Sequence, residues 1–124
     1  MGQIVYPITP NPKPRMTRSD KWKKRPAVMR YRAFCDEVRL RSVDLPPAGA
    51  SIHFVLPMPK SWSKKKRAAM LGEPHQQKPD IDNLLKALAD ACHQDDAHIW
   101  HYSGLKKTWG ESGQIIIELV KTRR

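Results

Sequence analysis

The spacing of hydrophobic positions changes several times along the chain, and each change marks an element. Ile4, Tyr6 and Ile8 alternate with their neighbours, which predicts a short strand over residues 3–9. Four prolines, Pro7, Pro10, Pro12 and Pro14, then break the pattern, and a basic loop runs from Lys13 to Arg25. Pro26 suits the first turn of a helix, and Val28, Tyr31, Cys35, Val38 and Ser42 follow at three- and four-residue steps, predicting a helix over 27–42. After a Pro-Pro turn, Ile52, Phe54 and Leu56 alternate over 51–56, with His53 on the opposite strand face. Residues 61–70 read as a short basic helix with Ser61 as N-cap, and His75 falls in the solvated loop that follows.

The strongest amphipathic stripe is Ile81, Leu84, Leu85, Leu88, Ala91 and Cys92, which predicts a helix over 83–93 capped by Asp82. Residues 98–109 and 114–120 read as strands joined by a hairpin at 110–113. Within the second, Ile115, Ile116 and Ile117 suggest burial on both faces. The order β-α-β-(α)-α-β-β gives a single α/β domain over residues 1–124. Its expected form is a small mixed sheet packed with two main helices, and its basic loops, about 10–25 and 60–78, are expected to be flexible.

Composition narrows the classes. The 124 residues carry 23 Lys+Arg against 12 Asp+Glu, a net charge of +11, which points to a polyanionic partner, nucleic acid before membrane surface. No apolar run is long enough to span a bilayer, and no helix pairs a broad apolar face with a lysine-rich one, so no membrane role is expected. Cys35 and Cys92 form neither a disulfide framework nor a CxxC pair, and residues 1–15 lack a signal-peptide pattern, so a cytoplasmic setting is expected. Cys35 lies on the apolar stripe of its helix and reads as core.

The charge comes in blocks. Residues 1–41 carry a net +8 and residues 60–78 a net +5, whereas residues 80–96 carry −4, with Asp80, Asp82, Asp90, Asp95 and Asp96 against Lys86. A protein that only held DNA would gain nothing from carboxylates among its basic surfaces, because they repel phosphate. A divalent cation between carboxylate and phosphate removes the conflict. The competing reading is an acidic helix face that pairs with the basic segments for solubility.

Within Lys78-Pro79-Asp80-Ile81-Asp82-Asn83-Leu84-Leu85-Lys86, Pro79 favours an extended approach in which Asp80 and Asp82 point to one side. Lys86 stands one helical turn past Asp82. Two carboxylates and an ammonium at a helix start suit metal-assisted phosphodiester hydrolysis. The plainer alternative makes Asp82 a cap and Asp82–Lys86 a surface ion pair.

The stretch KPDIDNLLKALADAC…DDAHIW resembles the RusA family of Holliday junction resolvases, whose pattern is a D-x-D-N-L-x-K run, a helix with a D-A step, and an acidic pair opening the next strand. Here these are Asp80, Asp82, Asn83, Leu84 and Lys86; Asp90-Ala91; and Asp95-Asp96. Residues 10–15 and the Lys-rich stretch 61–78 look like phage-type members. The resemblance implies a Mg²⁺-dependent endonuclease, with Mn²⁺ as a substitute, acting as a homodimer on four-way or other branched DNA. It implies metal-binding roles for Asp80, Asp82 and Asp96, the last preferred over Asp95, and an essential role for Lys86. A bacterial or phage origin and a nucleoid-associated location go with it.

Backbone phosphates are expected to meet Lys13, Arg15, Arg18, Lys21, Lys23, Lys24 and Arg25 from one run and Lys64, Lys65, Lys66, Arg67 and Lys78 from the other. Trp22 and Trp62, within these runs, either pack or stack on bases exposed at the branch. A straight helix over 83–93 is roughly 15 Å long, so Asp96 could hardly reach the metal held by Asp80 and Asp82 of its own chain. A composite site, with Asp96 supplied by the partner subunit, is therefore expected. The alternatives are a non-catalytic basic DNA-binding module and a metal nuclease acting on other DNA structures.

Overall fold

The computed structural model describes residues 3–14, 25–43, 45, 48–92 and 101–119. They form three helices and a four-stranded mixed sheet, an α/β fold in the order β1 (Gln3–Tyr6), α1 (Pro26–Leu40), β2 (Ala48–Pro57), α2 (Lys64–Met70), α3 (Ile81–Cys92), β3 (His101–Gly110) and β4 (Gln114–Leu119). The strand order is β1-β4-β2-β3, antiparallel except for the parallel β2–β3 pair. A parallel pair needs a long crossover, and residues 58–100 supply it, with α2 and α3 inside it.

β3 and β4 do not form a hairpin. β2 lies between them, so the turn after Gly110 steps across two strand spacings, roughly 10 Å, within reach of three or four extended residues. A Cβ on Gly110 would run into the Val55 side chain, and one on Gly113 into Thr9, so the crossing depends on glycine at both places. Local sequence contains the turn residues but not the choice of partner. β4 pairs on both sides, with β1 and β2, and its inward residues Ile115 and Ile117 are buried there.

The core lies on one sheet face. Ile52, Phe54 and Leu56 of β2 and Ile115 and Ile117 of β4 meet Tyr31, Phe34, Cys35 and Val38 of α1 and Leu84, Ala87, Leu88 and Ala91 of α3. The predicted stripes of α1 and α3 are these faces. α1 stops at Leu40, however, and Ser42 lies beyond it at φ 52°, exposed rather than on the stripe. Among the described residues no helix lies over the other sheet face. Ile116 is therefore half-buried, not buried on both faces, and lines an open groove with Ser51, His53, Lys106 and Glu118. His53 belongs to this face as expected, with its Nε2 2.7 Å from Thr108 Oγ1.

The short helix also shifts. Ser63, not Ser61, caps α2, its hydroxyl accepting the Lys66 amide at 3.2 Å, because residues 59–62 are taken up by a turn closed from Trp62 N–H to Pro59 O. No residue of α2 is buried. Among the described residues no helix is long and apolar enough to cross a membrane.

Candidate active site

The acidic motif reaches its position by way of the β3 edge. Residues 72–75 run beside that strand, joined by Gly72 N–H to Trp109 O, Trp109 N–H to Glu73 O and His75 N–H to Lys107 O at 2.8, 3.0 and 3.0 Å. This ladder buries His75, which is 5% exposed, with its ring 4.1 Å from that of Trp109. The expectation of a solvated loop histidine is thus corrected: a backbone bond and an aromatic wall enclose it. Burial, then the charge of Lys107, holds the imidazole below its usual pKa. Trp62 also packs on Trp109, with centroids 4.7 Å apart, and Lys66 Nζ stands 4.4 Å above the Trp62 ring.

From His75 the chain turns over Lys107. The Lys107 ammonium donates to Gln77 O at 2.5 Å and to Pro79 O at 2.6 Å. The Lys78–Pro79 peptide is cis. α3 then opens, with Leu84 N–H donating to Asp80 O at 3.1 Å. Asp80 is therefore the residue before the helix, and Asp82 lies in its first turn rather than at the N-cap. The Asp82 carboxylate accepts from the Asn83 amide at 3.0 Å. The extended spacing of two residues thus does not apply between them; helix geometry begins at Ile81.

Both carboxylates are exposed, and among the described residues nothing bonds to that of Asp80. Lys86 is exposed one turn further on and makes no ion pair with Asp82. A shallow cleft of about 440 Å³ opens beside Asp80, lined also by Pro12, Lys78, Pro79 and Asn83. Pro12 is there because residues 11–14 are tied to α3. Asn83 Nδ2 donates to Lys13 O at 3.3 Å, and Lys13 Nζ pairs with Asp90 Oδ2 at 2.5 Å, the two side chains being 31% and 18% exposed.

The structure therefore brings Asp80, Asp82, Lys86, Lys78 and Lys13 to one end and flank of α3. Lys13 differs from the others in having its charge already compensated by Asp90. Lys64, Lys65 and Lys66 stand exposed on α2, and Arg67 donates to Pro59 O at 2.9 Å. Arg15, Arg18, Lys21, Trp22, Lys23, Lys24, Asp95 and Asp96 lie outside the described residues. Among the described residues no three His, Cys, Asp or Glu side chains gather in one place. The donor set at the helix start is carboxylate oxygen alone, the type that hard cations such as Mg²⁺ and Mn²⁺ accept, so the residues present fit such an ion.

Reading the sequence by itself misses Lys107 and the Lys13–Asp90 pair. The first had a signal: in a strand where Leu105 and Trp109 share a face with position 107, a lysine there points inward. The second had none, since 77 residues separate the partners.

A basic α/β chain with an acidic helix start beside a cleft defines a class in which carboxylate and polyanion could share a cation. The family comparison is more specific. The model of the endodeoxyribonuclease RusA family matches residues 6–120, nearly the whole chain, and the chain belongs to that family. No individually curated protein matches the sequence.

Proposed function

We propose that this protein is a divalent-metal-dependent endodeoxyribonuclease that resolves four-way DNA junctions by paired phosphodiester hydrolysis, in DNA recombination and repair. The observation that supports the reading is the place of Asp80 just before α3, with Asp82 in its first turn and Lys86 one turn further on, within a chain matched along nearly its whole length by a DNA-cleaving family.

Asp80 and Asp82 would hold the ion, with Asp96 as a further ligand. A bound Mg²⁺ supplies a more acidic water and neutralises charge on the scissile phosphate. Lys86 stabilises the charge that develops on the phosphoryl oxygens or orients the attacking water. The α3 N-terminus adds partial positive charge at the same place. Water attack leaves a 3′-hydroxyl and a 5′-phosphate, ends that can be ligated. The exposed lysines of α2, together with Lys78 and the basic run 13–25, meet backbone phosphate and set the position of the DNA without reading its sequence.

The acting unit is a homodimer. The 12 residues of α3 span about 18 Å, with Asp80 before the helix and Asp96 past its end. Antiparallel pairing of α3 with its copy puts the Asp96 of each subunit near the helix start of the other, and two symmetric sites suit the two cuts a junction needs. Such an enzyme works in the cytoplasm of a bacterial or phage-infected cell, on the nucleoid.

The test is cleavage of a synthetic four-way junction and of a linear duplex by wild type and Asp82→Asn, with and without Mg²⁺. The expected result is Mg²⁺-dependent cleavage of the junction by wild type alone, with junction binding retained in the variant. Equal action on both DNAs would make it a less selective nuclease. Binding without cleavage under any metal would make it a non-catalytic DNA-binding module. A catalytic monomer would overturn the shared site.

A further inference from the structure

Lys107 is the one lysine among the described residues whose ammonium gathers two backbone carbonyls, and those carbonyls flank Lys78 immediately before the acidic motif. We infer that Lys107 is a positioning residue for the acidic site: by tying Gln77 and Pro79 to β3 it sets the direction from which Asp80 and Asp82 are presented at the start of α3. This rests on the nuclease reading above.

Three observations support the assignment. Lys107 is in register with Phe54, which is fully buried, so it leaves the strand on the helix-covered face, whereas its neighbour Lys106 is in register with His53 on the open face. The backbone of the same residue holds the loop a second time, since Lys107 O accepts from His75 N–H at 3.0 Å. Residues 75–79 are thus fixed to one strand position from both its main chain and its side chain. Finally, both acceptors are main-chain carbonyls, so the bonds fix the backbone of the loop itself and not a side chain.

The arrangement separates geometry from stability. Gln77 is exposed and Pro79 half-buried, so water can take up the Gln77 carbonyl that Lys107 releases, and the loss of the clamp is expected to cost geometry more than stability. Cleavage depends on that geometry, because a displacement of about 1 Å at a reacting group can cost 100-fold in rate.

The test compares Lys107→Met with Lys106→Met, which removes the same charge from the other face of the same strand. Junction cleavage with Mg²⁺ is measured together with amide hydrogen exchange of residues 76–82 in the DNA-free protein. Lys107→Met is expected to lose about tenfold or more in kcat with KM within about twofold, and to exchange faster over 76–82, while Lys106→Met matches wild type in both. Identical behaviour of the two variants overturns the inference. So does a rise in KM with kcat unchanged, which would make Lys107 a phosphate contact, and so does faster exchange without slower cleavage. Lys107→Gln replaces the methionine variant if that one fails to fold. Wild type inactive on junctions would remove the nuclease reading, and the exchange comparison would then decide alone whether Lys107 holds the loop.

Discussion

The start of α3 and the helix α2 are both rich in functional candidates, yet they are held in opposite ways. The α3 start is tied down from several sides: Lys107 beneath the loop, the β3 ladder before it, residues 11–14 along its flank and Leu84 and Leu88 in the core. α2 buries nothing and is secured by its Ser63 cap, the Arg67–Pro59 bond and the Trp62–Trp109 packing beside it. Under the function proposed, a group that holds an ion against a phosphate needs placement within a fraction of an ångström, and the well-anchored α3 start meets that need. A group that supplies charge to a phosphate backbone needs only to be near it, because attraction to a polyanion tolerates movement.

The comparison can be broken most forcefully at Lys86. Lys86→Ala is expected to lower kcat for junction cleavage by about 10²–10³-fold with junction binding retained, measured by single-turnover kinetics and gel shift. A loss of binding instead would place Lys86 with the α2 lysines. Next comes Leu88→Ala, in the middle of the anchoring face, which is expected to cost about 2–5 kcal/mol in denaturant unfolding.

The corresponding change on α2, Lys64→Ala with Lys65→Ala, is expected to leave unfolding unaltered. It should instead lower the salt slope of junction binding by roughly two in log–log form, if each lysine neutralises one phosphate. A change in kcat with the slope intact would contradict the division of labour drawn here.

The smallest effect concerns pH. The folded pKa values of His75 and His53 are depressed, mainly by burial, so the unfolded chain binds protons that the folded chain does not. Their contribution to stability is complete above the unfolded value of about 6.5 and is lost as the pH falls from there toward the depressed folded values. The melting temperature should fall on acidification through this window, and His75→Leu should flatten the dependence more than a substitution on α2 does.

Much of the architecture could be read from local pattern because hydrophobic period is a local property. The stripes on α1 and α3 and the alternation in β2 turned out to be core faces, with boundaries shifted by one to three residues. The acidic motif was legible for the same reason, since its carboxylates and Lys86 are close neighbours in the chain. Pairing of strands was not: a short glycine-containing turn between β3 and β4 looks like a hairpin, and only the insertion of β2 between them shows otherwise.

The sequence by itself determined which residues carry charge, which faces are apolar, and that carboxylates would stand at the start of an amphipathic helix. The tertiary structure decided that Asp82 lies inside the first turn, that His75 is buried, and that Lys107 and Lys13 reach across to the motif from β3 and the N-terminal segment. The division follows from range. Periodicity and capping act over a few residues, whereas an ammonium meets a carbonyl or carboxylate 28 or 77 positions away only after the core has brought the two segments together.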